Sequence, residues 1–284
     1  MMKNNQKDVF ISCESAFDEA DIVLFGAPFD GTTSFRPGTR FGPKAVRSES
    51  FGIETYSPYQ DKDLEDYKIF DGGDLDLCFG NTEEVLKDIE LNVSEIINNN
   101  KIPGMIGGEH LVTLGAIRAL SKKFDNLHVI HFDAHTDLRD DYLGIKLSHA
   151  TVMRRVWDIL GDNRIYQYGI RSGERKEFEW AKKHTKLTKF NFEGIEDDIR
   201  ALGNVPVYFS LDLDILDPSC FCGTGTTEAG GVNFNELLDK IIKIGKLNIV
   251  GFDMVELSPH YDNSGASTAL ACKTLREIIL AINN

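Results

Sequence analysis

Positive charge is scarce in this 284-residue sequence: 31 Lys and Arg stand against 45 Asp and Glu, a net charge of −14. A surface so poor in basic groups argues against nucleic acid and anionic membranes as partners, and it favours a cationic small molecule. Long apolar runs are also missing. The longest are strand-sized, far below the roughly 18 residues of a membrane span. The opening MMKNNQKDVFISCESAFDEAD breaks every short apolar stretch with charge or amide, so no signal-peptide core is expected. The five cysteines (Cys13, Cys78, Cys220, Cys222, Cys272) are odd in number and mostly far apart, which excludes a disulfide framework and points to a reducing, cytoplasmic location. Cys220-Phe-Cys222 lacks the second pair or nearby His of a zinc site and reads as packed thiols in a loop. No linker, charge block or internal repeat divides the chain, so residues 1–284 are expected to form one domain.

What is present is an alternation of two patterns. Short apolar runs at 22–26, 67–70, 103–106, 127–132, 165–170, 205–213 and 249–255 read as buried strands. Stretches with helical periodicity lie between several of them, clearest at 82–99, 111–123, 149–160, 234–244 and 267–282. Strand alternating with helix predicts an α/β fold built on a parallel sheet. Asn81 ahead of Glu83 and Glu84, and Asn233 ahead of Glu236, read as capped helix starts. Gly- and Pro-dense stretches at 26–42, 72–80, 107–108 and 218–231 follow apolar runs. They fall where loops at the carboxyl ends of strands would lie, the edge at which open α/β sheets bind ligands.

Chemistry concentrates at that edge. In LHVIHFDAHTD (127–137), Asp133, His135 and Asp137 alternate with Ala134 and Thr136, and period two in an extended backbone sends the three side chains to one side. In VPVYFSLDLDILDP (205–218), Asp212 and Asp214 stand two apart at the end of another apolar strand. Burying such carboxylates together requires a cation. His110, after Gly107-Gly108-Glu109, opens a helix at the same edge. Four aspartates and two neutral histidines carry −4, which two divalent ions neutralise. Ligands of carboxylate and imidazole without thiolate suit Mn²⁺, with Mg²⁺, Fe²⁺ and Co²⁺ compatible. Two metals sharing carboxylates acidify a water, so hydrolysis is the expected chemistry. Weaker signals are set aside. Gly223-Thr-Gly-Thr-Thr-Glu228 lacks the third Gly of a dinucleotide loop, and Gly169-Ile-Arg-Ser172-Gly has its serine misplaced for a nucleophile elbow. Asp74-Leu-Asp76 reads as a solvated loop, and His128, His131, His184 and His260 read as structural or surface residues.

Together GGEH (107–110), FDAHTD (132–137) and SLDLDILDP (210–218) resemble the ureohydrolase family of arginases and agmatinases, in family order. The likeness runs from GAPFDGTTSFRPGTRFGPKAVR (26–47) to FDMVELSP (252–259), and bacterial agmatinases are the most similar branch. It implies a three-layer αβα fold with a mostly parallel sheet, two Mn²⁺ per subunit and a homotrimer or homohexamer. It further implies that His110, Asp133, Asp137 and Asp212 hold one metal and that Asp133, His135, Asp212 and Asp214 hold the other. Asp137 would orient the attacking water and pass its proton on, His149 would relay protons, and Glu256 would hold the guanidinium. Glu109 and Leu111 stand where the family often has Asp and Ser, and Thr227 where it has Pro; none is a ligand position.

The expected reaction is hydrolysis of a guanidine to urea and an amine, with agmatine giving putrescine. In arginases an Asp follows the G-[IL]-R strand end and accepts the α-ammonium; here that place beside the substrate belongs to Ser172. Residues 138–143, LRDDYL, also lack the arginase Asn pattern. Arginase and guanidinobutyrase activities are the alternatives, the latter favoured if Arg139 points inward. A non-catalytic metal-binding protein of the same fold would have lost a ligand, and none is missing. A binuclear phosphoesterase would need a basic phosphate clamp, which is not evident.

Overall fold

The apolar runs become strands and the amphipathic stretches become helices in a computed structural model that describes residues 9–283. The opening eight residues and Asn284 lie outside it, and with them part of the expected N-terminal pattern. The strands are β1 (Ile22–Ala27), β2 (Tyr56–Ser57), β3 (Lys62–Asp63), β4 (Ile69–Asp74), β5 (Ile102–Gly107), β6 (His128–Phe132), β7 (Ile165–Ile170), β8 (Lys186–Lys189), β9 (Val207–Asp212) and β10 (Ile249–Val255). The helices are α1 (Gly42–Glu49), α2 (Thr82–Asn98), α3 (Thr113–Lys123), α4 (Val152–Leu160), α5 (Arg175–His184), α6 (Ile195–Leu202), α7 (Phe234–Ile244) and α8 (Ala266–Ile282). β2 and β3 form a small antiparallel hairpin. The other eight strands make one sheet in the order β4-β1-β5-β10-β9-β6-β7-β8. Every neighbouring pair in it is parallel, where a mostly parallel sheet was expected.

Both faces of the sheet are covered, which is why its central strands are largely apolar. In β1, Ile22 and Leu24 pack into one core with α1, α6, α7 and α8, while Val23 and Phe25 pack into a second core with α2, α3, α4 and α5. The result is three αβα layers. The Asn81 and Asn233 caps form as expected: Asn81 Oδ1 accepts from the Glu84 N–H, and Asn233 shares a reciprocal capping box with Glu236. α3 and α4 are each preceded by a turn of 3-10 helix, His110–Val112 and His149–Thr151, so both histidines sit at tight entries rather than inside regular helix. Among the described residues no helix is long and apolar enough to cross a membrane.

Two expectations need correction. Asp74-Leu-Asp76 is only in part a solvated loop: Asp76 is exposed in the loop after β4, whereas Asp74 ends β4 opposite Gly26 and, though exposed, pairs with the buried Arg47 guanidinium. Cys222 is exposed rather than packed, while Cys220 is half-buried with its thiol on the Asp217 carbonyl.

The sheet order decides where chemistry can happen. β5, β10, β9, β6 and β7 lie side by side and all point the same way, so the segments leaving their carboxyl ends converge. Gly108 allows the closest approach there. A Cβ at this position would lie 2.0 Å from the Phe29 carbonyl oxygen, and the neighbouring Glu109 N–H donates to that same oxygen at 2.7 Å. Any larger residue would push the loop after β1 away from the end of β5.

Candidate metal centre and substrate pocket

The structure brings His110, Asp133, His135, Asp137, Asp212 and Asp214 together at the carboxyl edge. His110 Nδ1 lies 3.1 Å from Asp133 Oδ2, 3.2 Å from Asp137 Oδ2 and 3.2 Å from Asp212 Oδ2. It is buried without a hydrogen-bond partner among the described residues. His135 Nδ1 lies 2.9 Å from Asp214 Oδ2 and 3.5 Å from Asp133 Oδ1. Asp133 thus offers one oxygen to each histidine. Two groups of donor atoms can each surround a cation: His110, His131, Asp133 and Asp137, and beside them Asp133, His135 and Asp214. Asp212 lies outside both tight groups, although its Oδ2 faces His110.

The tautomer of His110 follows from its neighbours. Its Nε2 is 2.9 Å from Ser210 Oγ, whose own proton goes to Asp253 Oδ1 at 2.8 Å. Asp253 Oδ2 accepts from Thr113 and Tyr208, each at 2.7 Å. With the hydroxyl proton spent on Asp253, Ser210 accepts from His110 Nε2–H, and the Nδ1 lone pair is left facing three carboxylates. Once its proton is displaced, such a buried nitrogen among carboxylate oxygens fits a divalent cation, as do hard oxygen ligands mixed with imidazole.

The electrostatics agree. Burial, and then the neighbouring Asp214 and Asp133, push the Asp212 carboxyl well above its ordinary range. Burial works against a charged imidazole at His110 and His135, yet the facing aspartates outweigh it and hold both well above the usual histidine value. Without a metal, protons fill the cluster; a metal must expel them. Proton occupancy therefore opposes binding, and the sign is fixed: affinity for a divalent cation falls as pH falls. Calorimetric titration with Mn²⁺ from about pH 6 to about pH 8 should show affinity rising by roughly tenfold per unit for each proton displaced. A flat profile would mean that no protons are displaced.

Two of these residues have left-handed backbones, Asp137 at φ 55° and Glu256 at φ 66°, and each is held by visible bonds. For Asp137 the clamp is the Glu177 carboxylate at the start of α5, which accepts from the Thr136 hydroxyl, the Leu138 N–H at 3.2 Å and the Glu174 N–H at 2.6 Å. Glu256 follows β10; its N–H donates to the Gly108 carbonyl and its Oε1 accepts from the His110 N–H, both at 2.9 Å. The GGEH loop and Glu256 therefore set each other's position. Burial, with Glu109 and Asp214 nearby, raises the Glu256 carboxyl well above its normal range, the mark of an anion lacking its cation.

His110, His135, Asp137, His149, Ser172 and Glu256 all line one pocket of about 330 Å³, the size of a small-molecule site. His149 Nδ1 is 3.0 Å from the Thr32 carbonyl, which can only accept, so the proton sits on Nδ1 and Nε2 is the free base near Ser34 Oγ at 3.4 Å. Burial outweighs the opposing pull of Asp137, lowers the His149 pKa and keeps the ring neutral. Ser172 stands beside His135, its N–H bonded to the Ala134 carbonyl. Glu109 explains its own departure from the common Asp: its longer side chain reaches the Thr32 and Thr33 hydroxyls at 2.6 Å and 3.0 Å and ties down the loop that carries the His149 acceptor. Burial pushes the Glu109 carboxyl up to about 7, against those bonds.

Several supporting residues escape a reading of the sequence. Arg171 donates to the carbonyls of Asp214, Ile215 and Glu228 and so holds the segment bearing Asp214. Glu177, Ser210 and Asp253 act through partners distant in sequence. His131, expected to be structural or at the surface, is structural: it is fully buried with Nε2 2.8 Å from Asp133 Oδ2. A signal for it does exist in the sequence, because 131 has the same parity as 133, 135 and 137.

The sequence model of the Arginase family matches residues 20–281. An agmatinase of Bacillus cereus is 46% identical over 276 residues, covering 96% of this chain and 95% of that protein. A guanidinobutyrase of Pseudomonas aeruginosa is 32% identical, covering 96% and 89%. A crystal structure of a candidate agmatinase from Clostridium difficile superimposes with a TM-score of 0.92 at 51% identity, covering 94% and 98%. Matched by the family model over nearly its whole length and close to half identical to a relative of the same extent, this chain belongs to the arginase family and is a hydrolase.

Proposed function

We propose that this hydrolase cleaves agmatine to putrescine and urea, with two Mn²⁺ ions held by His110, Asp133, Asp137 and Asp212 on one side and by Asp133, His135, Asp212 and Asp214 on the other. The observation that carries the reading is Glu256, a buried carboxylate pinned by the His110 N–H in the same pocket as the His/Asp cluster. When bound, two divalent ions supply Lewis acidity and an acidified water. The chain's own residues do the rest. Glu256 places the cationic guanidinium with its carbon toward the cluster. Asp137, rigid in its left-handed backbone, accepts the water proton at its carboxylate as the C–O bond forms. It returns that proton to the leaving nitrogen as the C–N bond breaks. His149 Nε2, free and neutral, exchanges protons between the pocket and solvent.

Three observations support agmatine over guanidino acids. Ser172 offers no charge to an α-ammonium. Arg139 does face the pocket, but its guanidinium is already paired, 3.5 Å from Glu174, 3.6 Å from Glu177 and stacked 4.5 Å over the Tyr142 ring, so its charge is met before a carboxylate tail arrives. The agmatinase of Bacillus cereus is also more similar to this chain than the guanidinobutyrase is. All five cysteines are free, which supports the cytoplasmic setting. With Mn²⁺ supplied, urea release should show kcat/KM for agmatine above that for arginine and 4-guanidinobutyrate by about tenfold or more, since each unpaired charged end costs desolvation. Preference for either acid overturns agmatine alone; no urea from any guanidine overturns the reaction.

A further inference from the structure

One row of buried polar side chains runs across the sheet beneath the metal cluster. Gln167 of β7 is the register neighbour of His131 of β6, His131 that of Ser210 of β9, and Ser210 that of Asp253 of β10. All four are fully buried. Polar groups placed so deep are destabilising unless every one is satisfied. The Ser210–Asp253 half serves His110. The other half ends on Asp133.

Its proton positions can be read off in sequence. Gln167 Nε2 lies 2.8 Å from the Thr136 carbonyl, which only accepts, and Gln167 Oε1 accepts from Thr185 Oγ1 at 3.2 Å. The amide is thereby oriented, with its second N–H directed at His131 Nδ1, 3.1 Å away. His131 Nδ1 is therefore the acceptor, and the imidazole proton sits on Nε2, 2.8 Å from Asp133 Oδ2. The other oxygen of Asp133 accepts the His135 N–H at 2.5 Å. Both oxygens of the one carboxylate shared by the two donor groups are thus fixed before any cation arrives.

We propose that His131 is a positioning residue for the metal centre, its Nε2–H held toward Asp133 by the Thr185–Gln167 chain so that the shared carboxylate is oriented for both ions. The proposal rests on the reading of this site as a metal centre. His131 Nε2 also falls within one donor group, but a nitrogen that carries a proton and donates it to Asp133 has no lone pair to give a metal. It acts through the carboxylate.

The test is Mn²⁺ titration of metal-stripped wild type, His131→Phe and His131→Gln, followed by calorimetry, with thermal unfolding of each metal-free protein. Phe keeps the buried ring and removes the donor; Gln restores an N–H near the place of Nε2. Loss of an outer partner that orients a ligand costs about 10- to 100-fold in metal affinity. That loss is expected for His131→Phe with two ions still bound, while His131→Gln stays within about threefold of wild type. Should His131→Phe fail to fold, Gln167→Leu, which leaves His131 in place and frees its tautomer, should weaken Mn²⁺ by about tenfold. Equal affinity in wild type and the donor-free variant overturns the proposal, as does equal impairment of Phe and Gln in proteins of equal Tm. Loss of one whole equivalent of Mn²⁺ with the other bound normally also overturns it, by making His131 a ligand. A wild type that takes up no metal overturns the metal reading itself, and this proposal with it.

Discussion

Asp133→Ala should abolish uptake of both Mn²⁺ ions and lower kcat/KM for guanidine hydrolysis by on the order of 10³ or more, about 4 kcal/mol of barrier. The reason is its place between the two histidines: Oδ2 faces His110 at 3.1 Å and Oδ1 faces His135 at 3.5 Å. On the proposed two-ion reading, removing it would take a donor from each ion and leave their mutual repulsion less screened. His110→Ala and His135→Ala each strip one ion of a neutral ligand and should be milder. Asp212→Ala should follow Asp133→Ala if it bridges as the ureohydrolase resemblance implies. Asp212 Oδ2 faces His110 Nδ1 at 3.2 Å, and its Oδ1 accepts from the Asp214 N–H at 2.8 Å. Metal content after dialysis, measured beside urea release, separates these cases. An Asp133→Ala protein that keeps two ions, or loses less activity than His110→Ala, would remove Asp133 from the shared position.

The His/Asp cluster was legible because its residues sit where the chain leaves a strand. The polar residues follow the apolar run at every second position, and although the strand ends at Phe132 and Asp137 turns left-handed, an apolar run ending in Asp-Ala-His-Thr-Asp gathers more donor atoms in one place than a solvated strand end requires. The supports were not legible, for a physical reason: their partners are neighbours only across the folded sheet. His131 meets Gln167 36 residues away, Glu177 meets Thr136 at a separation of 41, and Ser210 meets Asp253 at 43. Register between strands cannot be read from a single sequence. Peripheral elements were missed for a different cause. α5, RKEFEWAKKH, buries only Glu177 and Ala181, and β8, KLTK, is an edge strand with no buried residue, so neither carries an apolar run. Tertiary packing makes them. Glu109 shows the same limit at the pocket wall: its departure from the common Asp was visible, but its reach to Thr32 and Thr33 depended on how the loop after β1 folds back over Gly108.

Glu256→Gln should leave two Mn²⁺ bound and still lower kcat/KM for agmatine by roughly thirtyfold to several thousandfold, the 2–5 kcal/mol typical when one partner of a buried charge pair is removed. Glu256 touches the metal-bearing loop through the backbone: its Oε1 takes the His110 N–H, and its own N–H goes to Gly108. Glutamine keeps both bonds, its carbonyl oxygen replacing Oε1, so His110 stays in place and the cluster keeps its shape. What changes is the second oxygen. In the wild type burial, Glu109 and Asp214 hold this carboxyl toward its protonated form until a cation arrives, and a guanidinium would supply the opposing charge and the N–H donors together. In the variant an NH₂ group stands there, presenting donors to donors while the substrate's positive charge enters a dehydrated pocket uncompensated. The loss should fall on agmatine and other alkylguanidines alike, because it concerns the reacting group rather than the tail. Steady-state kinetics with metal analysis of the same sample decides it. Turnover close to wild type would show that the guanidinium is held elsewhere, and loss of metal would show that Glu256 serves the cluster instead of the substrate.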